Sequence, residues 1–160
     1  MKNTEAKFTH TVAGFSLLLM LAGSVFAATI DTVNKHAWSE NTGWLNFADS
    51  NSLVRVFNDH LEGYAWAENV GWIRLGSYSN GGAHNYGNTS QSNWGVNNDG
   101  ENLSGYAWSE NAGWINFAPT HGGVSVDAGS GLLNGYAWSE NLGWIHVQNS
   151  PTYALALQSA

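Results

Sequence analysis

The sequence predicts an all-β protein: four three-stranded antiparallel meander repeats, arranged either as a propeller-like closed ring or as an open stacked β-repeat array. Three observations carry this expectation. A twelve-residue motif, Tyr-Ala-Trp-Ser-Glu-Asn-Leu-Gly-Trp-Ile-His-Val at Tyr136 to Val147, recurs from His36 to Phe47, Tyr64 to Leu75 and Tyr106 to Phe117. Beyond residue 27 no helical period appears, whereas alternation and enrichment in Trp, Tyr, Ile and Val mark strands. Turn-forming clusters punctuate the repeats at Asn58-Asp59, Asn98-Asp99-Gly100 and Asp127-Ala128-Gly129.

Residues 1–27 read as a signal peptide. Lys2 and Lys7 precede an apolar run from Val12 to Leu21, and Val25-Phe26-Ala27 supplies a cleavage site. The run is too short to span a bilayer as a helix, so no stable membrane insertion is expected once the leader is gone. Gly14-Phe15-Ser16-Leu17 has some likeness to a pilin processing site, but Leu19 stands where that family has glutamate. Leu21-Ala22-Gly23 is followed by Ser24 rather than the cysteine of a lipoprotein. The expected location is therefore exported: periplasmic, cell-surface or extracellular.

The remaining segment, 28–160, is one domain in size. It holds three basic residues (Lys35, Arg55, Arg74) against eleven acidic ones, a net charge near −8. That balance repels phosphate backbones, so no nucleic-acid partner is expected. The chain has no cysteine, which excludes disulfides, thiolate metal sites and cysteine nucleophiles. Its histidines lack zinc-site spacing, and Asn97 to Asn102 fails as a calcium loop because Tyr106 stands where a bidentate glutamate is needed. No metal and no cofactor is expected.

The repeats fall at about 28–51, 52–76, 93–119 and 122–148. In each complete unit, strand one is a Val-x-Val-type segment such as Val54 to Val56. Strand two runs from Leu through Gly-Tyr-Ala-Trp-Ser-Glu, and strand three is Gly-Trp-Ile-x-Phe. Placing a type I turn on Asn111-Ala112, with Gly113 left-handed, sets Glu110 opposite Trp114 and Trp108 opposite Asn116. Tyr106, Trp108, Trp114 and Asn116 then share one face, and Ala107, Ile115 and Phe117 the other. The small residues of strand two suggest that the Trp face of one unit stacks on the small-residue face of the next. The varying position before the turn glycine (Thr42, Val70, Ala112, Leu142) reads as an exposed loop tip. Repeat one lacks its first strand, and a closing strand at 152–157 would supply it and complete a ring. A unit of about 30 residues is short for a propeller blade of ~40–45, which keeps the open array as the rival. An insertion loop at 76–93, polar and glycine-rich, interrupts the period.

The string Leu103 to Phe117 resembles a tryptophan-rich repeat, of the form Gly-Tyr-Ala-Trp-Ser-Glu-Asn-x-Gly-Trp-Ile, found in exported bacterial proteins. The resemblance covers most of residues 30–147. It implies an extracytoplasmic or surface setting and brings no assigned activity or catalytic residues. A looser similarity links the Gly-Trp pairs to the cell-wall-binding repeats of choline-binding proteins. Their spacing differs and their tyrosine-rich half is absent, so it implies only aromatic pockets between units.

These features predict a non-catalytic protein of the cell envelope or surface. Its candidate ligand-binding residues are the tryptophan pairs Trp38 and Trp44, Trp66 and Trp72, Trp108 and Trp114, Trp138 and Trp144, with Glu68, Glu110 and Glu140. Indole faces stack on the apolar faces of sugars, so polysaccharide is the candidate partner. A purely structural surface or filament component that self-associates is the alternative. A small glycosidase is the third reading, since paired carboxylates cleave glycosidic bonds. Against it, Glu40, Glu68, Glu110 and Glu140 occupy equivalent places in a repeat, where catalysis needs two carboxylates in different environments.

Overall fold

The computed structural model describes residues 28–51 and 53–158; the expected leader and cleavage site, residues 1–27, lie outside them. Every regular element is a strand. In chain order these are β1 (Ala28–Ser39), β2 (Gly43–Asn46), β3 (Arg55–Val56), β4 (Leu61–Glu62), β5 (Tyr64–Ala67), β6 (Gly71–Arg74) and β7 (Val96–Asn98), followed by β8 (Asn102–Ser109), β9 (Gly113–Asn116), β10 (Gly123–Val126), β11 (Leu133–Ser139), β12 (Gly143–His146) and β13 (Leu155–Leu157).

The four motifs form four hairpins, β1–β2, β5–β6, β8–β9 and β11–β12. Adjacent hairpins pair edge to edge, with Asn46 opposite Trp66, Arg74 opposite Trp108, Asn116 opposite Trp138, and His146 opposite Trp38. The last pairing returns to β1, so the eight strands close into an antiparallel barrel with no free edge. The ring is closed, as one of the two expected arrangements required. The way the units join is different. They do not stack Trp face on small-residue face: the small strip points into the barrel and the Trp face points out.

The hairpin register explains this inversion. Trp108 lies opposite Trp114 and Ala107 opposite Ile115, two residues from the expected alignment. The Val70 amide donates to the Ala67 carbonyl, so Glu68 and Asn69 occupy the centre of the turn and left-handed Gly71 follows it. A shift of two preserves which residues share a face, but it pairs each strand-two alanine with a large aliphatic. Ala37 meets Leu45, Ala65 meets Ile73, Ala107 meets Ile115 and Ala137 meets Ile145, all buried. An eight-stranded barrel has just enough interior for side chains, and small–large alternation fills it.

The turns seal one end. Thr42, Val70, Ala112 and Leu142 are buried rather than exposed at loop tips, because their side chains fold over the barrel mouth. Each of their carbonyls accepts a bond from the next unit's turn asparagine. Asn69 Nδ2 reaches Thr42 O at 2.9 Å, Asn111 reaches Val70 O at 2.9 Å, Asn141 reaches Ala112 O at 3.0 Å, and Asn41 reaches Leu142 O at 3.2 Å. The asparagines are thus ties between units as well as turn formers.

At the other end the short strands build a second circuit. β3 lies between β4 and β1, β10 between β11 and β8, and β7 beside β8 with a bridge from Asn97 to His60. β13 pairs with β1 and bridges Leu132 through Ala156, supplying the strand that repeat one lacks. Gly63, Gly105 and Gly135 mark where a chain passes from one circuit to the other. Their φ values are 92°, 84° and 95°, and a Cβ at Gly135 would stand 2.1 Å from the Gly123 carbonyl oxygen.

Candidate functional site

Because the small strip faces inward, all eight motif tryptophans form a belt on the outside of the barrel. Within each hairpin the two indoles meet edge to face, with centroids 4.7 Å apart for Trp38–Trp44, 4.6 Å for Trp66–Trp72, 4.7 Å for Trp108–Trp114 and 4.8 Å for Trp138–Trp144. That geometry suits the ring quadrupoles and holds the second indole upright. Trp44, Trp72, Trp114 and Trp144 remain 40–44% exposed, and their partners are half-buried. Tyr64, Tyr106 and Tyr136 stand beside them, also exposed.

Grooves run between neighbouring hairpins. The one between the third and fourth has a volume of about 890 Å³. Trp114, Tyr106 and Asn116 line it from one hairpin, and Trp138, Glu140 and Asn141 from the next. Residues Asn88 to Gln91 and Trp94 of the insertion add a wall, with Trp94 edge-on to Trp114 at 5.2 Å. Arg74 lies over the faces of Trp94 and Tyr64, at 5.7 and 5.9 Å.

The equivalent groove between the fourth hairpin and the first measures about 810 Å³. It is lined by Trp144, Tyr136 and His146 against Trp38, Glu40 and Asn41. Here Tyr153 takes the place of the insertion, lying edge-on to Trp44 at 5.1 Å and 3.1 Å from His146 Nδ1 through its hydroxyl. His146 stacks on Tyr136 at 4.1 Å, and burial pulls its pKa below the usual histidine value. Burial, helped by the adjacent Lys35 charge, does the same to His36.

Glu40, Glu68, Glu110 and Glu140 sit in the turns, exposed. Glu140 and Glu40 line the two larger grooves. Among the described residues neither these carboxylates nor the belt indole N–H groups make a hydrogen bond or ion pair within the protein. The turn glutamates therefore neither cap their turns nor hold indoles: the asparagines perform the tying. No group of three or more His, Asp or Glu side chains among the described residues is placed to hold a metal ion.

A buried polar cluster lies away from the grooves, and sequence reasoning missed it. His60 and Glu62 are fully buried. His60 Nδ1 is 2.6 Å from Asp59 Oδ1 and its Nε2 is 3.1 Å from Glu62 Oε1, while Arg55 pairs with the other Glu62 oxygen. The insertion closes over them: the Gly81 amide donates to Glu62 at 2.8 Å, the His84 amide donates to Asp59 at 2.9 Å, and His84 stacks on Tyr78. Tyr86 donates its hydroxyl to the Leu61 carbonyl at 2.9 Å, and its ring fills the space where Gly76 and Gly95 have no Cβ. Burial, and then the Glu62 charge, raise the Tyr86 phenol well above the ordinary tyrosine pKa and keep it a donor. Neither of these two grooves is lined by His60 or Glu62. The cluster is a latch for the insertion. A signal for it existed: Glu62 is the one charged residue at a position held elsewhere by Asn34, Ser104 and Asn134.

Fold and surface together define a closed eight-stranded antiparallel barrel wearing an external aromatic belt. Compared with family models, curated proteins and solved structures, the chain finds no match.

Proposed function

We propose that the chain is an exported, non-catalytic protein of the cell envelope or surface that binds glycan in the grooves between its hairpins. The observation that supports this reading is the belt itself. Four indoles are left about 40% exposed, and two of them, Trp114 and Trp144, line grooves at successive hairpin junctions beside unpartnered polar groups. Covering the exposed part of one such indole, on the order of 100 Å², is worth about 2.5 kcal/mol at ~25 cal/mol/Å². Two indoles and a tyrosine per groove suffice for a sugar ring, with Asn116, Asn141 and the indole N–H groups available for its hydroxyls. The signal-like leader and the resemblance of Leu103 to Phe117 to repeats of exported proteins support the location.

Tryptophan emission of the purified chain, titrated with a panel of polysaccharides, tests the reading. A ligand-dependent blue shift is expected, and Trp114→Ala combined with Trp144→Ala should remove it while leaving the unfolding midpoint within a few degrees. Emission that responds to no polysaccharide would overturn the glycan reading. Release of reducing ends from a bound polymer, abolished by a single change such as Glu140→Gln, would overturn the non-catalytic one.

A further inference from the structure

We propose that the two larger grooves select amine-bearing glycans, polymers of hexosamine with free ammonium groups, over neutral and acidic ones. This rests on the glycan-binding reading above and narrows its ligand class. Each groove presents a single carboxylate, Glu140 in one and Glu40 in the other, among indole and phenol rings. Among the described residues no lysine or arginine lines either groove; Arg74 lies behind the first, over the Trp94 ring, and donates to the Ser77 carbonyl. Electron-rich ring faces and an unpaired carboxylate attract the same thing, a cation that surrenders part of its hydration.

The alternatives are disfavoured by the same groups. A neutral glycan can offer Glu140 or Glu40 only hydroxyl hydrogen bonds, which leave the charge of the covered carboxylate uncompensated, whereas an ammonium both donates and neutralises. An acidic glycan would meet that carboxylate within a domain whose net charge is near −8, with no lysine or arginine among the described lining residues to receive it. In the fourth-to-first groove the only other titratable cations-in-waiting are His121 and His146. Burial of His146 against Tyr136 favours its neutral form. The amide groups of Asn116 and Asn141 and the insertion residues Thr89 to Gln91 supply partners for sugar hydroxyls, which a bare lysine chain would leave unused.

The test compares binding of the purified full chain to a glucosamine hexamer, its fully N-acetylated counterpart and an oligogalacturonate, by calorimetry at fixed salt and mildly acidic pH. The glucosamine hexamer should bind about three- to tenfold more tightly than the acetylated one, and the oligogalacturonate weakest. In a Glu40→Gln, Glu140→Gln double variant the preference should disappear, whereas Glu101→Gln, an exposed carboxylate outside the grooves, should retain it. Equal or tighter binding of the acetylated hexamer would overturn the amine preference while leaving the glycan reading intact. Binding of oligolysine as tight as the glucosamine hexamer, or an equal loss in Glu101→Gln, would reduce the effect to bulk charge and overturn the proposal. If none of the three glycans binds, the glycan reading itself falls, and this inference with it.

Discussion

At the scale of single residues, three glycines carry a burden that the repeat consensus does not reveal. Gly63, Gly105 and Gly135 lie where strand two leaves the short-strand circuit and joins the barrel, and each has a left-handed φ with a carbonyl oxygen within 2.3 Å of a would-be Cβ. Strain and collision therefore add. Gly100 has a similar φ of 93° in a turn, with open space around it. The comparison separates the two contributions. Gly100→Ala should cost about 1–2 kcal/mol, the conformational penalty alone, whereas Gly135→Ala should cost roughly 3 kcal/mol or more because the Gly123 backbone must also move. Urea midpoints of the two variants check this, and equal losses would show that the close approach is relieved at no expense. Glycine before tyrosine was visible in the sequence, but its reason was not: the obstructing carbonyl comes from a residue ten or twelve positions earlier, brought back by the fold. The same holds for the turn asparagines. Their type suggests a turn, and only assembly reveals that each one's amide serves its neighbour's buried carbonyl.

Among elements, the insertion and the hairpins show what local pattern reading reaches. Strand identity and facing were legible because a pleat alternates with period two, and a register error of two residues leaves every face unchanged. That same error set Ala107 against Phe117 and hid the Ala–Ile pairs that fill a barrel, so the small strip looked like a bed for another unit's tryptophans. The insertion was legible only as an interruption; its latch depends on groups 25 and 19 residues apart, Asp59 with His84 and Glu62 with Gly81. The latch should titrate. Burial works to raise the Asp59 carboxyl, but bonds from the His60 ring and the His84 amide outweigh it and leave its pKa below the ordinary 3.8. A carboxylate depressed in the folded state contributes stability above 3.8 and loses it as pH falls through the lower folded value. Asp31, Asp99 and Asp127, held low by turn amides or by Ser130, share that sign, as do His36 and His146 from 6.5 downward. Asp59→Asn isolates the latch from them. The stability difference between the protein and this variant should be constant from pH 7 to about 4.5 and shrink as the pH falls below 3.8. A difference that does not change with pH would remove Asp59 from the acid response.

For the whole molecule, the decisive fact is that both circuits close on the first described strand, β1. β1 is shared by the barrel, where it pairs with β2 and β12, and by the second circuit, where it pairs with β3 and β13. Gln158 donates its amide to the Thr29 carbonyl at 2.8 Å, so the two ends of the described fold lie side by side. In a ring of four similar units no junction is privileged by the packing, and the covalent break between β13 and β1 is one of several places where it could fall. Joining residue 158 to residue 28 through a short flexible linker, and opening the chain instead at Thr120 in the exposed connection between β9 and β10, keeps every strand pairing. This permuted domain should fold cooperatively with an unfolding free energy within about 1–2 kcal/mol of the parent, because only a surface connection has been moved. Opening it at Asn111 should be far worse, since that cut severs a turn, removes the tie to the Val70 carbonyl and uncovers the barrel mouth. Deleting residues 151–158 should be as damaging, because buried Leu155 and the partner of β1 are lost together and a closed sheet acquires two edges. Chemical denaturation of the three proteins distinguishes ring from open stack. An open stack would tolerate the deletion with mere fraying and would gain nothing from joined ends, so a cooperative, near-native transition in the deletion protein would mean that closure contributes little to holding the four hairpins together.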